Sequence, residues 1–240
     1  MTTTPSAAGF TMPAEHEPHS GCLMAWPSRA ELWGERLEAA THEYAAVART
    51  IAAFEPVTMV CNPGLAADVR NLCGAGVTPV EIPINDSWIR DSGPAFVRNP
   101  TGKVAAVGFG FNAWGNRWHP HDDDARLAER LAAYFSVPFF RAPFVLEGGS
   151  FFVDGEGTLL VTEECVLNKN RNPALAKDAI ERHLKDYLAV DVVVWLPCGV
   201  YGDETDGHVD NVAACVAPGV VVAQVEDAIR QCRSVPRSPV

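Results

Sequence analysis

Glu147-Gly-Gly-Ser-Phe-Phe-Val153 is the middle member of three related stretches, with Asp91-Ser-Gly-Pro-Ala-Phe-Val97 before it and Asp206-Gly-His-Val-Asp-Asn-Val212 after it. Each opens with a carboxylate near a glycine and runs into apolar residues of strand character. A turn signal follows each, at residues 99–102, residues 154–157 and Pro218-Gly219, and a second apolar run follows the turn. The first two copies then continue into helix and strand. The stretches recur every 56 to 59 residues, a period that stacked or radial supersecondary units produce. Units arranged about an axis would each place a carboxylate at the same strand end. Acids far apart in the chain would then gather in one central pocket.

Outward from the repeat, helical and strand signals alternate. Leu37, Ala40, Tyr44, Val47, Ile51 and Phe54 fall at steps of three and four, which predicts a helix ended by Pro56. A strand at residues 57–61 and a shorter helix near residues 65–72 follow. Asp122 to Asp124 precede Leu127, Leu131 and Tyr134 as the acidic start of another helix. Asn172-Pro173 reads as cap and first position of a helix carrying Ala176, Ile180, Leu184 and Leu188 on one face. Strands are expected at residues 137–140 and 192–195. The expected class is α/β. Residues 1–14 read as a loose arm, 15–225 as the domain and 226–240 as a divergent tail.

Composition narrows the function classes. The 240 residues are 48% hydrophobic and 20% charged, ordinary for a globular chain. Nineteen Lys and Arg against 30 Asp and Glu give a net charge of −11, which repels nucleic acid and anionic membranes and attracts cations. No stretch resembles a signal peptide or a bilayer span. The seven cysteines show no paired spacing. A cytoplasmic protein with reduced, mostly buried thiols is expected.

The repeat stretches hold the candidate chemistry. His208 and Asp210, two apart, would share one face of a strand with Asp206. A His among carboxylates has raised proton affinity and suits proton transfer. The plain alternative is an exposed turn over residues 202–207 whose acids hydrogen-bond the backbone; a metal site is another. Glu147 leaves an apolar run and enters a Gly-Gly turn, costly for a carboxylate unless it has partners. The alternative is a turn residue bonding its own amides. Asp91 with Trp88 could offer an anion and a flat wall to a planar cation. Arg90 next to it is as easily a structural ion-pair residue. Trp118-His119-Pro120-His121-Asp122 imitates a metal-binding run but fits a loop into a helix start better.

Met12-Pro13-Ala14-Glu15, Glu17-Pro18-His19 and Ala25-Trp26-Pro27 resemble the beginning of the agmatine deiminase family, the bacterial and plant branch of peptidylarginine-deiminase-like enzymes. Asn85-Asp-Ser-Trp-Ile-Arg-Asp-Ser-Gly-Pro94, Glu147-Gly-Gly-Ser150 and Thr205-Asp-Gly-His-Val-Asp-Asn211 match its internal motifs in order and spacing. The resemblance covers about residues 10 to 225. It implies a pentein-type α/β propeller of strand–strand–helix–strand units and hydrolysis of the agmatine guanidinium to N-carbamoylputrescine and ammonia, a step toward putrescine. By the same resemblance Asp91 and Asp210 would hold guanidinium nitrogens, His208 would move protons and Glu147 would assist it. Trp88, Asp86 and Asp206 would line the pocket. No cofactor or metal is implied, and the expected partner is a small cationic guanidinium substrate, with homo-oligomerisation open.

The family also uses a cysteine thiolate that attacks the guanidinium carbon, in a Gly-rich His-Cys context near its C-terminus. No such context occurs here: Cys22, Cys61, Cys165, Cys198, Cys215 and Cys232 all stand elsewhere. The expectation is a propeller incomplete before its last blades, with exposed strand edges, self-association and no turnover alone. Two other classes compete. One is a non-catalytic guanidinium- or polyamine-binding protein. The other is a metal-dependent hydrolase built on Asp91, His119, His121, His208 and Asp210.

Overall fold

The computed structural model describes residues 3–224. Eleven strands among them form four small sheets, and the three copies of the repeat fall one each in the three sheets that follow the first. The first sheet is parallel: β1 (Cys22–Ala25), β2 (Val57–Cys61) and β3 (Val77–Glu81) pair in that order. Helix α1 (Leu37–Ala52) and helix α2 (Ala66–Cys73) make its crossovers. The next two sheets share another pattern. In one, β4 (Ala95–Arg98) pairs antiparallel with β5 (Val104–Gly110), which pairs parallel with β6 (Phe139–Val145) after helix α3 (Leu127–Tyr134). In the other, β7 (Phe151–Val153) and β8 (Thr158–Thr162) form the hairpin, and β9 (Val192–Leu196) follows helix α4 (Lys177–Leu188). The fourth is the hairpin of β10 (Ala213–Ala217) and β11 (Val220–Ala223).

The parallel strands are apolar because helices cover them. Met59, Val60 and Cys61 are fully buried. The largest core packs β5, β6, β7 and β8 against Ile180, Leu184 and Leu188 of α4. The helix start predicted at Asn172 is displaced to Lys177. Asn172 instead takes the amide of Val145 on its Oδ1 and donates Nδ2 to the carbonyl of the same residue, so its side chain extends the edge of β6. Ala176 is exposed and lies before α4. Along α1 the buried positions are Ala40, Ala45 and Ala48, while Val47 is half exposed and Phe54 is 88% exposed. Small side chains let this helix lie close to the sheet, which is why the larger residues of its stripe do not all face inward.

Within the N-terminal arm, residues 10 and 11 are held on the domain. Phe10 is buried in the largest core and meets Phe140 edge to face, and Thr11 forms a β-bridge with Arg98. Five cysteines are free thiols: Cys22, Cys61, Cys73, Cys165 and Cys215. Cys198 is disulfide-bonded. Cys232 and the expected tail 226–240 lie outside the described residues. No helix among the described residues is long and apolar enough to cross a membrane.

Candidate active site

Each repeat copy delivers its functional residues from a short helical turn just before a hairpin. The turns are Ile89–Ser92 ahead of β4, Gly148–Ser150 ahead of β7 and Val209–Asn211 ahead of β10. Asp210 therefore sits on a helical turn and His208 immediately before it, rather than on the strand predicted, and period-two alternation does not place them. Asp206 does not share their face. It has a left-handed backbone (φ 63°) and points at Asn170, Arg117 and Arg171.

The turns meet at Gly149. A methyl group built on it would lie 2.6 Å from Asp210 Oδ2, 2.6 Å from His208 Nδ1 and 2.9 Å from Asp91 Oδ1. Only glycine leaves room there, and three distant segments share that space. Its own amide donates to Asp91 Oδ1 at 2.8 Å, and Trp114 Nε1 donates to Asp91 Oδ2 at 3.0 Å. Trp114 reaches that position from a run of left-handed residues, Ala113 to Asn116. Non-glycine residues hold such backbone angles only where surrounding structure imposes them.

His208 is 2% exposed. Its Nδ1 lies 3.8 Å from Asp91 Oδ1 and its Nε2 lies 3.8 Å from Glu147 Oε2. Both separations exceed a hydrogen bond, and Nε2 has no partner. Burial pulls the imidazole's proton affinity down, but Glu147, Asp91 and Asp210 outweigh it and the net shift is upward. Burial also pushes the carboxyls of Asp91 and Asp210 up, against the opposing pull of His208.

Glu147 is as buried as His208, and its partner is Arg171 rather than its own amides. Arg171 Nε donates to Glu147 Oε1 at 2.7 Å. The same guanidinium reaches Asp206 Oδ2, Asn170 Oδ1 and the carbonyl of Thr205. One cation thus neutralises Glu147 and ties down the loop that precedes His208. Sequence reading passed over Arg171, Trp114 and Asn170, because nothing local in residues 170–173 or 113–116 announces a tertiary partner.

A cavity of about 460 Å³ opens above this floor. Asp91, His208 and Asp210 line one end; Trp88, Trp114 and Trp118 form its walls, and Asp86, Asp203 and Glu204 add negative charge. Trp88 is 47% exposed and meets Trp114 edge to face. Asp86 is buried beside Arg29, 3.7 Å away, and accepts the amide of Ser87. Arg90 also lines the cavity, but its guanidinium pairs with Glu15 and lies over Phe152, which suits a structural ion-pair residue. His119 and His121 lie against each other with their rings tilted by 45° and do not line the cavity, which separates them from Asp91, His208 and Asp210.

The sequence profile described as Porphyromonas-type peptidyl-arginine deiminase matches residues 11–235. The chain belongs to that family. Agmatine deiminase of Pseudomonas aeruginosa (strain UCBPP-PA14) is 48% identical over 233 residues, covering 94% of this chain and 63% of that protein. Agmatine deiminase of Ectopseudomonas mendocina is 46% identical over 234 residues, covering 95% and 64%. Among solved structures, agmatine deiminase of Enterococcus faecalis superposes with a TM-score of 0.91 at 41% identity, covering 95% of this chain and 64% of that one. The chain thus spans a little under two thirds of the length of these family members. The expected fold, a pentein-type α/β propeller, is the one these solved members share with it.

Proposed function

We propose that the cavity is the guanidinium-binding and proton-transfer site of an agmatine deiminase-type hydrolase. The observation that carries this reading is the gathering of Asp91, His208 and Asp210 around Gly149 at the floor of an acidic, tryptophan-walled cavity. A guanidinium is planar, stays protonated at physiological pH and is matched by carboxylates through charge-assisted hydrogen bonds. Asp91 and Asp210 would take its nitrogens from two sides, and Trp88 and Trp114 would flank the aliphatic chain. His208, its proton affinity raised by the surrounding carboxylates, would donate a proton as ammonia leaves and recover one from water. Glu147, held by Arg171, would keep the imidazole charged. Asp86, Asp203 and Glu204 add negative charge to the lining, which favours a free amine over a carboxylate on the substrate and supports agmatine over arginine, the one lining cation, Arg90, being paired with Glu15.

None of the five free thiols lines the cavity. The chain is therefore expected to bind agmatine without releasing ammonia at enzymatic rates, as a binding site alone would. Calorimetry with agmatine, arginine and putrescine tests the reading, with ammonia release followed in parallel. Expected are one agmatine site, weaker arginine binding and no turnover. Absence of agmatine binding by the folded protein would sink the proposal, and thiol-dependent turnover would overturn its account of the cysteines. A cytoplasmic setting accords with the free thiols, Cys198 being the exception.

A further inference from the structure

Beneath the cavity floor lies a donor set that the proposed reaction does not use as such. Glu147, Cys165 and His208 each offer one ligand atom, and these atoms lie within 4.8 Å of one another. All three residues are buried, Cys165 completely. His208 Nε2 has no hydrogen-bond partner and faces Glu147 Oε2. Arg171 occupies Oε1 of Glu147 and leaves Oε2 unclaimed. Among the described residues no other such cluster occurs.

We infer that Glu147 Oε2, Cys165 Sγ and His208 Nε2 form a site for a zinc-class divalent cation, whose occupation ties up His208 beside Asp91 and opposes guanidinium binding there. The donor types fit: sulfur, imidazole and carboxylate are the set a borderline-soft cation selects, and magnesium or calcium would reject the sulfur. The spacing fits. Tetrahedral bonds of about 2.0 Å to N and O and 2.3 Å to S separate N from O by about 3.3 Å and either from S by about 3.5 Å, so the 3.8 Å between Glu147 and His208, in a set spanning at most 4.8 Å, needs only a small contraction. Charge fits as well. The bound cation displaces the thiol proton and the His208 Nε2 proton to solvent, so carboxylate plus thiolate balance its two charges while Arg171 remains paired with Asp206. A fourth position is left for water. The inhibitory role rests on the function proposed above; the binding site does not.

Cobalt(II) is the probe, because a thiolate bond to it gives a near-ultraviolet charge-transfer band and tetrahedral geometry gives intense visible bands. The full chain titrated with cobalt, then with zinc, is compared with Cys165→Ser, Cys165→Ala and a His119→Ala/His121→Ala control. Circular dichroism establishes that each variant is folded. Expected is a 1:1 complex with the charge-transfer band, bleached by zinc, retained by the histidine control and lost from whichever Cys165 variant folds. Agmatine affinity should fall at least tenfold with zinc bound in the wild type and stay unchanged by zinc in that Cys165 variant. Cobalt binding without the band, or a band that survives removal of Cys165, would overturn the site. If agmatine does not bind at all, the spectroscopic arm still decides the metal site alone. Should neither Cys165 variant fold, cadmium-113 resonance of the wild type decides instead: a shift outside the range for one sulfur ligand counts against the site.

Discussion

At Asp91 and Asp210 the cavity holds carboxylates whose proton affinity is raised by burial. Guanidinium binding needs them ionised. Agmatine affinity is therefore expected to fall on acidification at a pH above the ordinary carboxylate range, and calorimetry across pH 4 to 8 checks it; an affinity flat over that window would contradict the clamp. Asp91→Asn or Asp210→Asn removes one charge-assisted contact, worth about 1.5–3 kcal/mol, and should weaken agmatine about 10- to 100-fold without unfolding the chain. Arg171 makes a different case. Its loss strands Glu147, which is 1% exposed, and frees the loop before His208. Removing one partner of a buried ion pair costs about 3–5 kcal/mol. Arg171→Met should lower stability by that order in denaturant melts, and a change below about 1 kcal/mol would remove Arg171 from the account.

Among the elements, the helical turns before the hairpins decide the geometry, and they were the least legible part of the sequence. The hairpins were readable because Asn99 to Gly102, Asp154 to Gly157 and Pro218-Gly219 punctuate apolar runs. The turns are too short to show any period, so His208 and Asp210 were assigned to a strand that begins only at Ala213. The repeat alone implies that its three turns converge, but its third carboxylate, Asp206, is tied to Arg117 and Arg171 outside the cavity lining, and His208 and Asp210 line the cavity instead; Arg171 and Trp114 are visible only once sheets are packed. Two glycines of one turn separate fold from site. A methyl on Gly148 would collide with the backbone carbonyl of Arg90, and one on Gly149 would meet Asp91, His208 and Asp210. Gly148→Ala should compromise folding, while Gly149→Ala should keep the melt near wild type and abolish agmatine binding. Asp124 links two elements: the buried carboxylate ahead of α3 accepts the amides of Asn85 and Asp86. Burial, aided by Asp86, raises its pKa to about 6 from an ordinary 3.8. The folded state thus holds this proton more tightly than the unfolded chain. Its contribution is fully present below pH 3.8 and is lost as pH rises through about 6, by up to about 3 kcal/mol. Asp124→Asn should flatten the stability profile between pH 4 and 7; an unchanged profile would place the titration elsewhere.

For the whole molecule, the fourth sheet is the exposed flank. Among the described residues β11 pairs with β10 alone, and Val216, Val220, Val221 and Val222 are exposed, as are Val192 and Val194 of β9. Unpaired apolar edges invite pairing with another chain. Concentration-dependent self-association is expected in sedimentation velocity, reduced by Val222→Lys; a monomer at all concentrations would refute it. The shared floor at Gly149 reaches further. Asp91 and Asp210 sit on turns that lead into different sheets, more than a hundred residues apart in the chain, so a cation gripped by both would act as a fastener between separate parts of the protein. Saturation should raise the melting temperature, in step with ligand concentration over its dissociation constant. Small misalignments between sheets would register as weakened affinity well before any spectroscopic sign of unfolding, making agmatine titration a gauge of how faithfully the sheets are assembled.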